Sequence, residues 1–97
     1  MDWAGILVER VTRLTLDEYF LRNIFDKLGL NNISMFPTPS MQANLALMNQ
    51  RAPDGQLSSR DHLLRHPLIV GSPEHNKTYF NSGGAGCFAK PQEYCRK

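Results

Sequence analysis

The sequence predicts a small, mainly α-helical protein, with an N-terminal helix or helical hairpin, short helices, a small β-hairpin and an extended, loop-rich tail. Apolar residues of the N-terminal third recur at spacings of three and four, as on one face of a helix. All six prolines follow residue 36, and proline interrupts regular structure. We therefore expect one small domain, with a helical segment at 1–30 and short helices, turns and a glycine-rich tail at 31–97.

The N-terminal segment is predicted to contain a helix boundary near Thr15. Thr15-Leu16-Asp17-Glu18 matches a capping box, so a helix should begin near Leu16. Gly29 can adopt the left-handed conformation that ends a helix. The apolar positions before and after Thr15 stay in phase, so both a kink and a straight continuation are compatible with them: Trp3, Leu7, Val11, Leu14, Leu21, Phe25 and Leu28.

Residues 31–66 are predicted to hold two short helices separated by a turn. Ser40 is a candidate N-cap for a helix from Met41 to about residue 50. Ala52-Pro53-Asp54-Gly55 is typical of a turn. Ser58 or Ser59 could then cap a second helix that ends before Pro67.

The C-terminal region is predicted to contain a hairpin and a final helical turn. The apolar run 68–71 is typical of a short buried strand, and 78–80 is a candidate partner across a turn at 72–76. Pro91 suits the first position of a terminal helical turn.

Composition argues against several classes of function. The net charge is only +2, and the eleven basic residues are interleaved with nine acidic ones, so we expect no nucleic-acid partner. No apolar stretch approaches the roughly 20 residues of a transmembrane helix. Asp2 stands where a signal peptide would carry positive charge. We expect an intracellular protein, cytoplasmic or mitochondrial, with no cofactor.

Two histidines and two cysteines are weak candidates for a metal site. His62 and His66 are four residues apart on a predicted helix, and Cys87 and Cys95 could complete a zinc site. The cysteines are eight residues apart, wider than the usual spacing of zinc ligands. A disulfide between them and two free thiols are the alternatives, and Cys87 as a nucleophile lacks an evident oriented base.

Residues 66–71 and 79–86 resemble a segment of the core-1 β-1,3-galactosyltransferase and fringe family. In that family a Pro-aliphatic-x-x-Gly strand precedes an aromatic-x-Ser-Gly-Gly-Ala-Gly turn, which here contains Gly83, Gly84 and Gly86. The resemblance implies a turn beside a sugar-nucleotide site. The family's Asp-x-Asp metal motif is missing, which implies an inactive segment. Without the resemblance, the cluster is interpreted as a tight, close-packed turn.

An apolar helical face is the strongest remaining indication of function. It is wider than one short partner helix would cover, so we expect it to bind other protein subunits through Leu7, Val11, Leu14, Phe20, Ile24 and Phe25. This interpretation predicts a non-catalytic accessory subunit that docks on a larger assembly, for example an organellar complex. An inactive galactosyltransferase-like segment and a small zinc-binding module are the alternatives.

Overall fold

The computed structural model describes residues 1–61, 68 and 73–95. The helices are α1 (Asp2–Thr12), α2 (Leu16–Phe20), α3 (Asp26–Leu28), α4 (Pro39–Ala43), α5 (Pro73–Thr78) and α6 (Pro91–Tyr94), with a π-helical turn at Leu21–Phe25. The strands are β1 (Ile33–Ser34), β2 (Met48–Arg51), β3 (Leu57–Arg60) and β4 (Phe88–Ala89). This part of the chain mixes helices with two small antiparallel sheets, so the prediction of a mainly α-helical fold is wrong.

A sharp break separates α1 from α2. Arg13 adopts the left-handed conformation, with φ of 58°, and its N–H donates to the Glu9 carbonyl at 2.9 Å. A straight continuation is therefore excluded. The predicted capping box is confirmed, because the Thr15 hydroxyl accepts from the Glu18 N–H at 3.2 Å and the Glu18 carboxylate accepts from the Thr15 N–H at 3.1 Å.

A small core lies under α2 and the π-helical turn. Leu16, Phe25 and Met35 are the buried apolar residues of the described chain. The Phe20 and Phe25 rings meet edge to face, with centroids 5.9 Å apart. The helical segment ends at Gly29 with φ of 65°, as predicted. The wider π-helical turn rotates the side chains that follow it relative to a regular α-helix.

β2 and β3 form a hairpin where the sequence predicts helix. They pair from Met48 opposite Arg60 to Arg51 opposite Leu57. The predicted turn at 52–55 is confirmed, since the Gly55 N–H donates to the Ala52 carbonyl at 2.9 Å and Gly55 has φ of 86°.

Of the two helix predictions around this hairpin, the first holds only for residues 41–43 and the second is wrong at Ser58 and Ser59. α4 starts two residues earlier than expected, because Thr38 rather than Ser40 is its N-cap and accepts from the Met41 N–H at 3.3 Å. The helix ends at Ala43, and pairing with β3 then satisfies the backbone of 48–51. Ser58 and Ser59 belong to β3, and the rest of that predicted helix, at 62–67, lies outside the described residues.

The second sheet joins the segment after α3 to the C-terminal region. Ile33 lies opposite Ala89, and Ser34 lies opposite Phe88. The Glu93 carboxylate reinforces this pairing, since it accepts from the Asn32 N–H at 2.8 Å and from the Asn32 amide at 2.6 Å. Both hydrogen bonds hold the pKa of Glu93 below its ordinary value.

The predicted hairpin at 68–80 is not the hairpin of the structure. α5 occupies Pro73–Thr78, so residues 73–76 of the expected turn and the first residue of the expected partner strand are helical. Most of the first strand lies outside the described residues. The terminal prediction is confirmed, because Pro91 opens the short helix α6.

We expect Thr15→Ala to destabilise the chain by about 0.5–2 kcal/mol, the usual effect of removing a side-chain N-cap. The loss arises because the Glu18 N–H at the start of α2 no longer has its acceptor. Urea unfolding would measure it. The matched control is Ser40→Ala on the exposed α4, which should change stability by less than about 0.5 kcal/mol. Equal effects of the two variants would contradict the role of the capping box.

Candidate functional site

The glycine turn, residues 81–86, lies against the N-terminal end of α1. The Asp2 carboxylate accepts from the Ser82 hydroxyl at 2.8 Å and from the Gly84 N–H at 3.0 Å. The Ser82 oxygen in turn accepts from the Ala85 N–H at 3.1 Å. A single carboxylate therefore fixes both the side chain and the backbone of this turn.

Close contact, rather than unusual backbone angles, explains two glycines of this turn, Gly83 and Gly86. A Cβ on Gly83 would lie 3.0 Å from the Met1 carbonyl oxygen, and one on Gly86 would lie 2.6 Å from the Ser82 carbonyl oxygen. The positive φ angles among described glycines belong to Gly29 and Gly55 instead. The turn needs glycine because its backbone touches α1 and itself.

A second carboxylate, that of Glu9, joins α1 to the same turn. It accepts from the Leu16 N–H at 2.8 Å and from the Asn81 amide at 3.4 Å. Asn81 is only 4% exposed and Ser82 only 7%, and the Asn81 side-chain oxygen is buried without a hydrogen-bond partner. Buried polar groups are normally paired, so this oxygen is the one unsatisfied group of the cluster.

The Ser82 hydroxyl is not placed as a nucleophile. It is buried, and its proton is directed at Asp2 rather than at a histidine or lysine base. Its two hydrogen bonds instead give it a structural role within the turn. The cluster formed by Asp2, Glu9, Asn81 and Ser82 thus holds two distant parts of the chain together.

Cys87, just after the turn, is also unsuited to nucleophilic chemistry. Although the residue keeps exposed surface, burial raises the pKa of its thiol to about 11, and the charge of Asp17 adds to the increase. Burial raises the pKa of Asp17 as well. At neutral pH the sulfur is a protonated thiol, whereas the thiolate is the reactive form.

The structure describes two of the four candidate zinc ligands. Cys87 and Cys95 are exposed, free thiols, and no disulfide joins them. His62 and His66 lie outside the described residues. Over 1–61, 68 and 73–95, no three His, Cys, Asp or Glu side chains form a group that could hold a metal ion.

The predicted partner-binding residues do not share one surface. Leu7, Val11 and Ile24 are exposed, whereas Phe25 belongs to the core. Leu14 and Phe20 are half-buried. The left-handed Arg13 separates the apolar residues of α1 from those of the later helical segment.

A groove of about 720 Å³ lies beside Cys87, between α4 and the start of α6. Its wall includes Pro37, Met41, Leu45, Phe88 and Lys90. This volume falls in the range of small-molecule sites.

None of the helices in the described ranges is long and apolar enough to cross a membrane.

Comparison with known proteins relates the chain to fungal acyltransferases. No family model matches it. The chain is 32% identical over 96 residues to monacolin J acid methylbutanoyltransferase of Aspergillus terreus, over 99% of this chain and 22% of that enzyme. It is 30% identical to ML-236A carboxylate methylbutanoyltransferase of Penicillium citrinum, over 99% of this chain and 21% of that enzyme. A lovastatin esterase of Penicillium rubens is 41% identical over 61 residues, which are 61% of this chain and 15% of the esterase.

The fold gives the same relation. Unliganded simvastatin synthase from A. terreus superposes with a TM-score of 0.70 and 33% identity, over 96% of this chain and 22% of that chain. The chain therefore spans about a fifth of the length of the proteins that it matches.

These comparisons overturn the functional expectations from sequence. The resemblance to galactosyltransferases is wrong, because the relatives are acyltransferases and the glycine turn packs on α1. The expectation of a non-catalytic accessory subunit in an organellar complex is also wrong. The alternative of an enzyme segment was nearer, but it named another class of enzyme.

Sequence reasoning missed the polar residues of the site, Asp2, Glu9, Asn81 and Ser82. Asp2 and Glu9 are seven residues apart, which places them on one face of a helix. That spacing was the available signal. Their partners are more than 70 residues away in sequence, and no local pattern points to them.

We expect the stabilising effect of Asp2 to depend on pH. Its hydrogen bonds from Ser82 and then Gly84 lower its pKa in the folded chain. The stability gained is therefore present above the unfolded pKa of about 3.9 and is lost as the pH falls through the lower folded pKa.

Asp2→Asn should accordingly have a lower urea midpoint than the wild type at pH 7, with the difference shrinking below about pH 4. Asp26→Asn, at an exposed carboxylate of α3, is the control. A difference between Asp2→Asn and wild type that is the same at pH 7 and pH 3 would rule out this role of the charge.

We expect the Cys87 thiol to react slowly with iodoacetamide. Its pKa of about 11, against an ordinary 9.0, leaves about 100-fold less thiolate at pH 7.5. Mass spectrometry of the Cys95→Ala variant would follow alkylation of Cys87 alone, and the same variant unfolded in urea is the control. If the folded and unfolded forms reacted at the same rate, the sulfur would not be shielded as described.

Proposed function

We propose that this chain contributes to an enzyme that transfers acyl groups. The observation that carries the proposal is the extent of the match: 99% of the chain aligns with an acyltransferase at 32% identity, and 96% superposes on simvastatin synthase. A shared sequence and a shared fold over the same residues support descent from a common acyltransferase framework.

The names of the relatives indicate the class of acyl group. Two of them transfer a methylbutanoyl group, and a third is an esterase. Transfer to an alcohol and hydrolysis both break an acyl bond and differ in the acceptor, an alcohol or water. The transferases match nearly the whole chain, whereas the esterase matches 61% of it. We therefore favour transfer of a short branched acyl group to an alcohol.

The contribution of this chain is structural rather than nucleophilic. Within the described residues, Ser82 is buried against Asp2, and the Cys87 thiol is protonated at neutral pH. The glycine turn holds α1 through Asp2 and Glu9. We propose that the acyl-carrying nucleophile belongs to the four fifths of an acyltransferase that this chain does not span.

A chimeric enzyme tests the proposal. In this chimera, the chain replaces the matching residues of A. terreus monacolin J acid methylbutanoyltransferase. We expect the purified chimera to transfer a methylbutanoyl group to monacolin J acid, with chromatography separating transfer from hydrolysis. A folded chimera that neither transfers nor hydrolyses the acyl group would overturn the proposal.

Two substitutions in the chimera probe the role of the chain. Cys87→Ala should leave kcat/KM within about twofold, because its thiol is not a nucleophile. Gly83→Val should lower kcat/KM at least ~10-fold, since a Cβ there meets the Met1 carbonyl at 3.0 Å and small displacements of a framework are costly to catalysis. Loss of activity in Cys87→Ala would show that the sulfur takes part in the reaction.

A further inference from the structure

α1 has one face that is already occupied by the chain itself. Asp2 and Glu9 bind the glycine turn from this face. Gly5 lies between them, and a Cβ there would come within 2.9 Å of Leu16 and 3.7 Å of Gly83. We call Asp2, Gly5 and Glu9 the inner face of α1.

The opposite face of α1 is apolar and uncovered. Trp3, Leu7 and Val11 follow one another at intervals of four residues, and they are 83%, 64% and 75% exposed. At 3.6 residues per turn, these positions point about 180° away from the inner face. We call them the outer stripe. Three large, neighbouring apolar side chains on one exposed face mark an interaction surface.

We infer that the outer stripe packs against the body of an acyltransferase, in the portion that this chain does not span. The inference rests on the proposed function and names the surface through which the segment is held. Two observations select this occupant. The aligned relatives are about five times as long, and α1 lies within the aligned residues.

A second copy of the chain is a less favourable partner for the outer stripe. Stable association of separate molecules usually buries about 800 Å² per partner, which three side chains of one helix do not reach. Separate molecules also lose translational and rotational freedom when they associate. Packing within one polypeptide avoids that loss, so a narrow apolar stripe is enough.

The experiment compares the accessibility of an introduced thiol in the isolated chain and in the chimera. Leu7→Cys is placed in a Cys87→Ala/Cys95→Ala background, both in the isolated chain and in the chimera described above. We expect maleimide to label the introduced thiol about tenfold more slowly in the chimera, because the stripe is then covered. Asp54→Cys, at the exposed hairpin turn, gives the reference rate in each protein.

Charge substitution supplies a second measurement. Leu7→Glu should lower the yield of soluble chimera about tenfold and leave the isolated chain folded, because the stripe is exposed there. The control is Leu57→Glu on β3, where the leucine is 63% exposed. If the two variants behave alike, the stripe is not the contact surface.

The remaining outcomes are decisive in the same way. Equal maleimide labelling at position 7 in both proteins would overturn the inference. So would an isolated chain that forms a dimer in sedimentation and becomes monomeric in the Leu7→Glu variant. If the chimera does not fold, the isolated chain should co-purify with the relative lacking its matching segment, and absence of that complex overturns the inference. A chimera that covers position 7 but transfers no acyl group overturns only the proposed activity.

Discussion

The hydrogen bonds of Asp2 join the start of α1 to the glycine turn, and the packing of these two distant segments depends on them. The carboxylate reaches the Ser82 hydroxyl and the Gly84 N–H, 80 and 82 residues further along the sequence. Glu9 lies about two helical turns after Asp2 on the same face of α1, and it makes a second connection, to Asn81 and to the start of α2. Because Gly83 has no side chain, the backbone of the glycine turn lies close to α1, within reach of both carboxylates. The turn is thus a packing element, and its glycines serve close approach rather than ligand binding.

The two faces of α1 link this local chemistry to the small size of the core. The inner face is polar or glycine and is used within the chain, whereas the outer stripe is exposed and lies outside the core formed by Leu16, Phe25 and Met35. A core of this size gives limited stability, since short chains bury a small fraction of their surface. Hydrogen bonds and a hairpin connect the segments of the chain, but apolar surface on α1 stays uncovered. In the function that we propose, this uncovered surface packs against the rest of a larger acyltransferase.

Neither Ser82 nor Cys87 is placed to act as a nucleophile. Cys87 follows the glycine turn, but burial and the charge of Asp17 raise the pKa of its thiol to about 11, so even less of the reactive thiolate forms at neutral pH. Ser82 lies within the glycine turn, and its hydroxyl donates a hydrogen bond to Asp2. Both residues illustrate how position in a sequence motif is insufficient evidence for chemistry. The environment of the side chain decides whether it can react.

Local sequence was enough to place several boundaries of this fold. The capping box at Thr15, the left-handed Gly29, the turn at 52–55 and the helical start at Pro91 all depend on one residue and its near neighbours, and each is present. Tertiary structure decided the rest. Residues 48–51 became a strand because β3 satisfies their backbone, the choice between a kink and a straight continuation was settled by the break at Arg13, and the glycine turn found its partners on α1. The partners of the glycine turn are more than 70 residues away in sequence, so no local pattern records them. The strand at 48–51 instead depends on a partner 6 to 12 residues away, and the break at Arg13 on a hydrogen bond to Glu9.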